Sequence, residues 1–328
     1  MECVLQVSSL KVHYSKGDQT VRAVDGIDFS ISQGETVALV GESGCGKTTT
    51  AFSLMRLLPY NATVKGTVLL QGVDVLKLAD KELRKVRAEK MSIIFQTPIT
   101  YLNPLMKVGH QITEALSRAR KGLSKTDLKK MALETMSRVE IQSPSETFEC
   151  YPHQLSGGMK QRIVIAMALI TDPVLLIADE PTTNLDVTVQ AQVLSLMKKL
   201  IAGTKNSCLL ITHDLGIVAD LCDRIYVMYA SKIIEQGNTF SIFDNPLHPY
   251  TKALLKCTLS IDEYKDKIET IGGEVPDLVN PPKGCLFHPR CDLALPACRE
   301  RYPTRTEVEP DHTVYCWQYS ESDKHRKG

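Results

Sequence analysis

A parallel α/β fold is predicted by three features of the sequence. Gly41-Glu42-Ser43-Gly44-Cys45-Gly46-Lys47-Thr48 fits G-x-x-x-x-G-K-[ST], and it stands between a short apolar strand, Thr36 to Val40, and a helical stretch that stops at Pro59. A second run of buried-strand type, Val174 to Ala178, ends in two adjacent carboxylates, Asp179 and Glu180. A third, Cys208 to Thr212, ends at His213, and an amphipathic helix from about Val187 to Leu200 connects the two. Strand, Gly-rich loop and helix in that order define the phosphate-loop NTPase class.

The other elements follow along the chain. Alternating apolar residues from Val4 to Tyr14 and from Ala23 to Ile31, joined by the polar turn Ser15-Lys16-Gly17-Asp18, read as an antiparallel β subdomain. From Leu105 to Val139 apolar residues recur at three- and four-residue spacing among Lys, Glu and Arg, which marks an inserted helical subdomain over about residues 99–170. Beyond Asn245, Pro276, Pro281, Pro282, Pro289, Pro296, Pro303 and Pro310 interrupt any long regular element. The division expected is a nucleotide-binding domain over 1–245 and an irregular Cys-rich C-terminal extension over 246–328.

Composition excludes several functions. The chain has 328 residues, with 39 basic against 38 acidic side chains, so no global field draws it to nucleic acid. Its longest apolar run, Ile163 to Ile170, is eight residues, against the ~20 that a spanning helix needs. The start, Met1-Glu2-Cys3-Val4, has neither a basic flank nor an apolar signal core, from which a cytoplasmic address is expected.

The motifs supply the chemistry of a nucleoside triphosphate site. Gly41, Gly44 and Gly46 let backbone N–H groups, with those of Ser43, Cys45, Thr48 and Thr49, turn toward phosphate oxygens at the positive end of a helix. Lys47 reaches the outer phosphates, and the hydroxyl of Thr48 is a Mg²⁺ ligand. Asp179 holds the Mg²⁺ through its water shell, and Glu180 deprotonates the attacking water. Leu155-Ser156-Gly157-Gly158-Met159-Lys160-Gln161-Arg162 opens the helix that carries the eight-residue apolar run; on its own, Ser156 is an N-cap followed by permissive glycines.

Taken with the phosphate loop before it and the Asp-Glu strand after it, that string closely resembles the signature sequence of ABC-type ATPases. The resemblance implies the remaining roles: Gln96 in Ile94-Phe95-Gln96 as the Q-loop residue at the Mg²⁺, Asp186 in Asn184-Leu185-Asp186 as the D-loop acid, His213 as the switch histidine, and Tyr14 as the adenine-stacking aromatic. Each also has a structural alternative: a surface residue at a strand end for Gln96, a helix N-cap for Asp186, a core histidine for His213, a half-buried strand aromatic for Tyr14. Met159 stands where the signature commonly has glutamine, and Asn184 where alanine is frequent. Ser156, Gly157 and Gly158 are implied to bind the nucleotide of a second subunit, in a head-to-tail pair.

Within that family the chain resembles the ATPase subunits of dipeptide, oligopeptide and nickel importers, through Val40-Gly41-Glu42-Ser43-Gly44, Tyr151-Pro152-His153-Gln154-Leu155-Ser156-Gly157-Gly158, Asn245-Pro246-Leu247-His248-Pro249-Tyr250-Thr251 and Gly284-Cys285-Leu286-Phe287-His288-Pro289-Arg290-Cys291. The partners implied are a second ABC ATPase of different sequence, two transmembrane permease subunits and, indirectly, an extracellular substrate-binding protein. The location implied is peripheral, on the cytoplasmic face of the cell membrane. The competing functions are import of nickel or another small solute, a soluble ABC-type ATPase without a membrane partner, and a regulatory nucleotide-binding module without turnover.

Four of the ten cysteines, Cys285, Cys291, Cys298 and Cys316, fall within 32 residues of the extension at the spacing C-x5-C-x6-C-x17-C. The spacing lacks paired C-x2-C knuckles, and a Pro-broken segment gains folding free energy from a bound metal. A [4Fe–4S] cluster, present in some ATPases of the resembled group, is the centre expected; zinc and free thiols are the alternatives.

Overall fold

The computed structural model describes residues 2–97, 101–183, 186–202, 206–262 and 271–320. Two strands come first, β1 (Cys3–Lys16) and β2 (Gln19–Ser32), then β3 (Thr36–Val40) and α1 (Lys47–Leu54). They are followed by β4 (Ala62–Leu70), β5 (Val73–Asp74), α2 (Asp80–Glu89) and β6 (Met91–Ile94). A helical run contains α3 (Val108–Ala119), α4 (Lys125–Arg138), α5 (Pro144–Phe148) and α6 (Gly157–Leu169). Next come β7 (Leu175–Asp179), α7 (Val187–Ala202), β8 (Ser207–Thr212), α8 (Leu215–Leu221), β9 (Arg224–Tyr229) and β10 (Lys232–Asn238). The chain continues through α9 (Thr239–Asp244), α10 (Pro249–Asp262) and α11 (Pro296–Glu300) to β11 (Thr306–Glu309) and β12 (His312–Val314).

Two compact units divide these elements. One comprises Met1–Leu5, Ile31–Thr36 and Leu70–Leu210; the other comprises Gln6–Ser30, Val37–Leu69 and Ile211–Gly328.

In the first unit β8, β7 and β6 are neighbours in that order, and β6 runs parallel to β7 with Met91 opposite Leu175 and Ile94 opposite Ala178. Every residue of β7 is buried. A parallel strand covered on both faces reads as a continuous apolar run, which is how Val174 to Ala178 reads in the sequence. The helices α3, α4 and α6 pack against one another. The periodic stretch Leu105 to Val139 is two helices rather than one, because Gly122 takes a positive φ of 87° and Ser124 caps α4 by accepting from the N–H of Asp127.

In the second unit β1 and β2 form a hairpin through Gly17 and Asp18, and the order continues to β4. A separate order, β11-β12-β10-β9-β3, has β3 parallel to β9, with Val37 opposite Arg224 and Val40 opposite Val227. The extension is less irregular than its prolines suggest. β12 adds antiparallel to β10, pairing Val314 with Glu235, and Val314 and Cys316 cluster with Leu247 in a small buried core. A bulge between Ile233 and Glu235 aims the Glu235 carboxylate inward, where it accepts from the N–H groups of Leu247 (2.7 Å) and His248 (2.8 Å) and pairs with His312 Nε2 (2.9 Å). Both side chains of that pair are fully buried. A carboxylate out of water needs such partners, and the bonds tie β10, the start of α10 and β12 together.

Candidate active site

In the second unit β3 delivers the chain to the Gly-rich loop at a tight place. A Cβ on Gly41 would run into the carbonyl of Met228, and one on Gly46 into that of Ala23. Gly46, at φ 109°, precedes α1 without any side-chain cap, which leaves the helix N-terminus to an anion. Lys47 is buried, and its ammonium donates to the carbonyls of Gly41 (2.7 Å) and Glu42 (2.9 Å). Ser43, Gly44 and Thr48 are exposed, and Thr49 is half-buried. Burial holds the Cys45 thiol above its usual pKa, against the nearby Lys47 charge, so it stays neutral. His213 follows β8 and is exposed, which rules out the core-histidine alternative. The next residue, Asp214, caps α8 through the N–H groups of Gly216 and Ile217. Tyr14 is half-buried near the end of β1.

In the first unit Asp179 is buried at the end of β7. Glu180 leaves the strand in a left-handed conformation, φ 45°, uncommon for a residue with a side chain. Its carboxylate accepts from Gln96 Nε2 at 2.7 Å and from the Thr183 hydroxyl at 2.9 Å. Gln96 and an acid 84 positions later are thus in direct contact. Ser156 caps α6, accepting from the N–H of Met159 at 3.3 Å, and Ser156 and Gly157 are exposed. A Cβ on Gly158 would press on Val189 of α7 at 2.8 Å. Asp186 accepts from the N–H of Val189 at 3.0 Å, which is the helix-cap alternative. Asn184 and Leu185 lie outside the described residues.

Sequence reasoning gave no role to Gln161, which is fully buried and donates to the carbonyl of Pro181, directly after Glu180. It fastens α6 to the segment that carries the acid; its place in the signature was the available signal.

Of the four clustered cysteines, Cys285 and Cys298 are joined through the backbone, the N–H of Cys285 donating to the carbonyl of Cys298 at 2.8 Å. Burial is the main cause that raises the Cys285 pKa to about 11 and the Cys316 pKa to about 12; charge at Cys291 and Cys298 raises both further, and Cys285 and Cys316 lie close enough for the charge of Cys285 to act on Cys316. Cys291 is raised by burial and then by Cys298. None of the four is in a disulfide. Among the described residues no group of three or more His, Cys, Asp or Glu could hold a metal ion. The side-chain arrangement thus gives the expected [4Fe–4S] centre no support among the described residues.

Comparison with known proteins decides the family. Residues 24–183 match the ABC transporter family, and residues 234–298 match the C-terminal region of oligopeptide and dipeptide transporters. The dipeptide transport ATP-binding protein DppD of Bacillus subtilis is 49% identical over 99% of this chain and 97% of its own length. The chain belongs to the ABC transporter ATP-binding proteins. The oligopeptide transport ATP-binding protein OppD of Escherichia coli is 43% identical over 97% of this chain and 94% of its own length. A dimeric ATP-binding cassette solved in a post-hydrolysis state with ADP and Pi superposes with a TM-score of 0.65 at 28% identity, covering 72% of this chain and 98% of that one. As a member of this ABC family the chain is an ATPase and uses ATP with Mg²⁺. Among the described residues no helix is long and apolar enough to cross a membrane.

Proposed function

We propose that the chain is the ATP-hydrolysing subunit of a membrane importer of di- or oligopeptides. The observation that carries this reading is the likeness of residues 234–298 to the C-terminal region of oligopeptide and dipeptide transporters, because that stretch lies outside the motifs every ABC ATPase shares. Nickel or another small solute, and a soluble role without a membrane partner, are the readings it disfavours.

On this reading Tyr14 stacks the adenine, and Lys47 and the loop N–H groups from Gly41 to Thr49 bind the phosphates. Hydroxyl, carboxylate and amide oxygens of Thr48, Asp179 and Gln96 are the hard donors that suit Mg²⁺, which supplies neutralisation of charge on the transferring phosphoryl group. Glu180 takes the proton of the attacking water, the γ-phosphorus accepts the oxygen and ADP leaves; Gln96 holds the Glu180 carboxylate and His213 donates to the γ-phosphate. Ser156, Gly157, Gly158 and Asp186 serve the nucleotide of a second, non-identical ATPase, so that closure needs ATP and hydrolysis releases it. Residues 1–245 form the nucleotide-binding domain, the helical part over about 99–170 transmits closure to two permease subunits, and 246–328 form the extension. The chain then works peripherally on the cytoplasmic face, downstream of a peptide-loaded binding protein.

Cys285, Cys291, Cys298 and Cys316 are read as the ligands of a [4Fe–4S] cluster. Their clustering within 32 residues and the backbone bond from Cys285 to Cys298 support this, since a cluster is held at four corners and spans more than the ~2.3 Å Zn–S bonds of one zinc ion. About four irons and four sulfides per chain after anaerobic purification is the expected result; zinc alone, or no metal in folded protein, overturns it.

The function is tested by purifying the chain from detergent-solubilised membranes and identifying what comes with it by mass spectrometry. Two permeases and a second ATPase are expected, with ATP hydrolysis stimulated by binding protein carrying a dipeptide. Absence of permeases, or stimulation by nickel-loaded binding protein alone, overturns it.

A further inference from the structure

Glu42 lies inside the phosphate loop, yet loop N–H groups and Lys47 account for phosphate binding without it. Its surroundings are unusually fixed. The N–H of Glu42 donates to the Tyr250 hydroxyl at 2.9 Å, and its carbonyl accepts from Lys47 at 2.9 Å. Its carboxylate accepts two bonds from Arg290 of the Cys-rich extension, Nη1 to Oε2 at 2.8 Å and Nη2 to Oε1 at 3.0 Å. Arg290 immediately precedes Cys291, and its side chain is 4% exposed.

The remaining donors of Arg290 are also placed. Nε donates to the carbonyl of Gly272 (2.8 Å), Nη2 to that of Ile271 (3.0 Å) and Nη1 to the Tyr229 hydroxyl (3.3 Å). A guanidinium has five N–H donors, and each has an acceptor here. The guanidinium also lies 5.8 Å from the Tyr229 ring centre and 6.0 Å from that of Phe287, and those rings pack edge to face on each other. The pair with Glu42 and the other acceptors hold the Arg290 pKa above its already high usual value, so it is a permanent charge.

We propose that Arg290 is a positioning residue for ATP binding: it holds Glu42, and through it the first turn of the phosphate loop, in the shape that receives phosphates, and it cancels a carboxylate charge that would repel them. The C-terminal extension is then a working part of the nucleotide site. This rests on the reading of Gly41 to Thr48 as the phosphate loop. Bidentate geometry makes the fork, and not only its charge, the active feature.

The test measures the dissociation constant of a fluorescent ATP analogue with Mg²⁺ on the full chain, with thermal unfolding in parallel. Arg290→Met is expected to weaken binding at least ~10-fold, Arg290→Lys to fall between it and the unchanged protein, and Glu42→Gln added to Arg290→Met to recover most of the loss by removing the uncompensated charge. A purely structural role for Arg290 would not produce that recovery. Binding within about two-fold of the unchanged protein in Arg290→Met, or a loss that Glu42→Gln fails to lessen, overturns the proposal. If Arg290→Met shows no unfolding transition, Arg290→Lys with and without Glu42→Gln gives the same comparison. Lys47→Ala separates the two readings: undiminished binding in that variant means the loop is not the phosphate site, whatever Arg290 does.

Discussion

At the scale of single residues, Glu180 occupies a backbone conformation that costs about 1–3 kcal/mol, at the end of a strand whose other residues are in ordinary extended geometry. Such strain persists where position matters more than local comfort, and here it presents the carboxylate to Gln96 and Thr183. Glu180→Gln keeps shape while removing the proposed base. It is expected to lower hydrolysis by at least ~100-fold and leave ATP affinity nearly unchanged, measured as phosphate release against nucleotide titration. Turnover near that of the unchanged protein in the assembled transporter would show that another group takes the proton. His213 is the complementary case, because an exposed side chain contributes little to stability. His213→Ala should shift unfolding by no more than ~0.5 kcal/mol while kcat falls about 10²-fold, and a large loss of stability at unchanged kcat would contradict the role given to it.

Among elements, α6 shows two adjacent glycines under different constraints. Gly158 faces Val189 of α7 so closely that a methyl group must displace it, whereas a Cβ on Gly157 meets nothing within 4 Å among the described residues. Gly158→Ala should therefore cost about 1–3 kcal/mol in urea unfolding and Gly157→Ala a few tenths, with any loss of ATPase from the latter tracing to the approach of a second subunit. The start of α10 carries a pH-dependent element. His248 is fully buried, accepts the N–H of Tyr250 at Nδ1, and burial lowers its pKa from 6.5 to about 4. The unfolded chain then binds the proton first, so stability present above pH ~6.5 is lost as pH falls toward ~4, by up to about 3 kcal/mol. Unfolding curves across that range should steepen this loss relative to His248→Gln, in which it flattens.

These elements also show where the sequence is readable. β3, β7 and β8 announce themselves because a parallel strand buried on both faces is a continuous apolar run, and the hairpin of β1 and β2 because one polar turn separates two alternating stretches. β12 is only three residues long, too short for any period, and it is specified by the buried Glu235 waiting 77 positions earlier. The Arg290–Glu42 contact spans 248 positions, and no local pattern encodes a pairing that distant. The motifs holding both residues were visible as family resemblance, but the physical reason for them was not.

At the scale of the whole molecule, one chain carries one phosphate loop and one signature, and the exposed Ser156 and Gly157 have no nucleotide role that the proposed chemistry assigns within the chain. A formal net charge of +1 gives neither attraction nor repulsion between copies. In the proposed pairing the nucleotide supplies the link, its γ-phosphate being the group that Ser156 and the N-terminus of α6 would bind from outside. ADP lacks that group and should not support closure. The proposed companion is a second ATPase of different sequence, although symmetric pairing is the general default for oligomers. With Glu180→Gln to prevent turnover, the chain mixed with its companion ATPase should elute at the mass of a pair in ATP and as single chains in ADP, while the chain alone stays monomeric in both. Pairing of the chain with itself in ATP, together with full uptake by permeases reconstituted with this chain as the sole ATPase, would replace the heterodimer with a symmetric one.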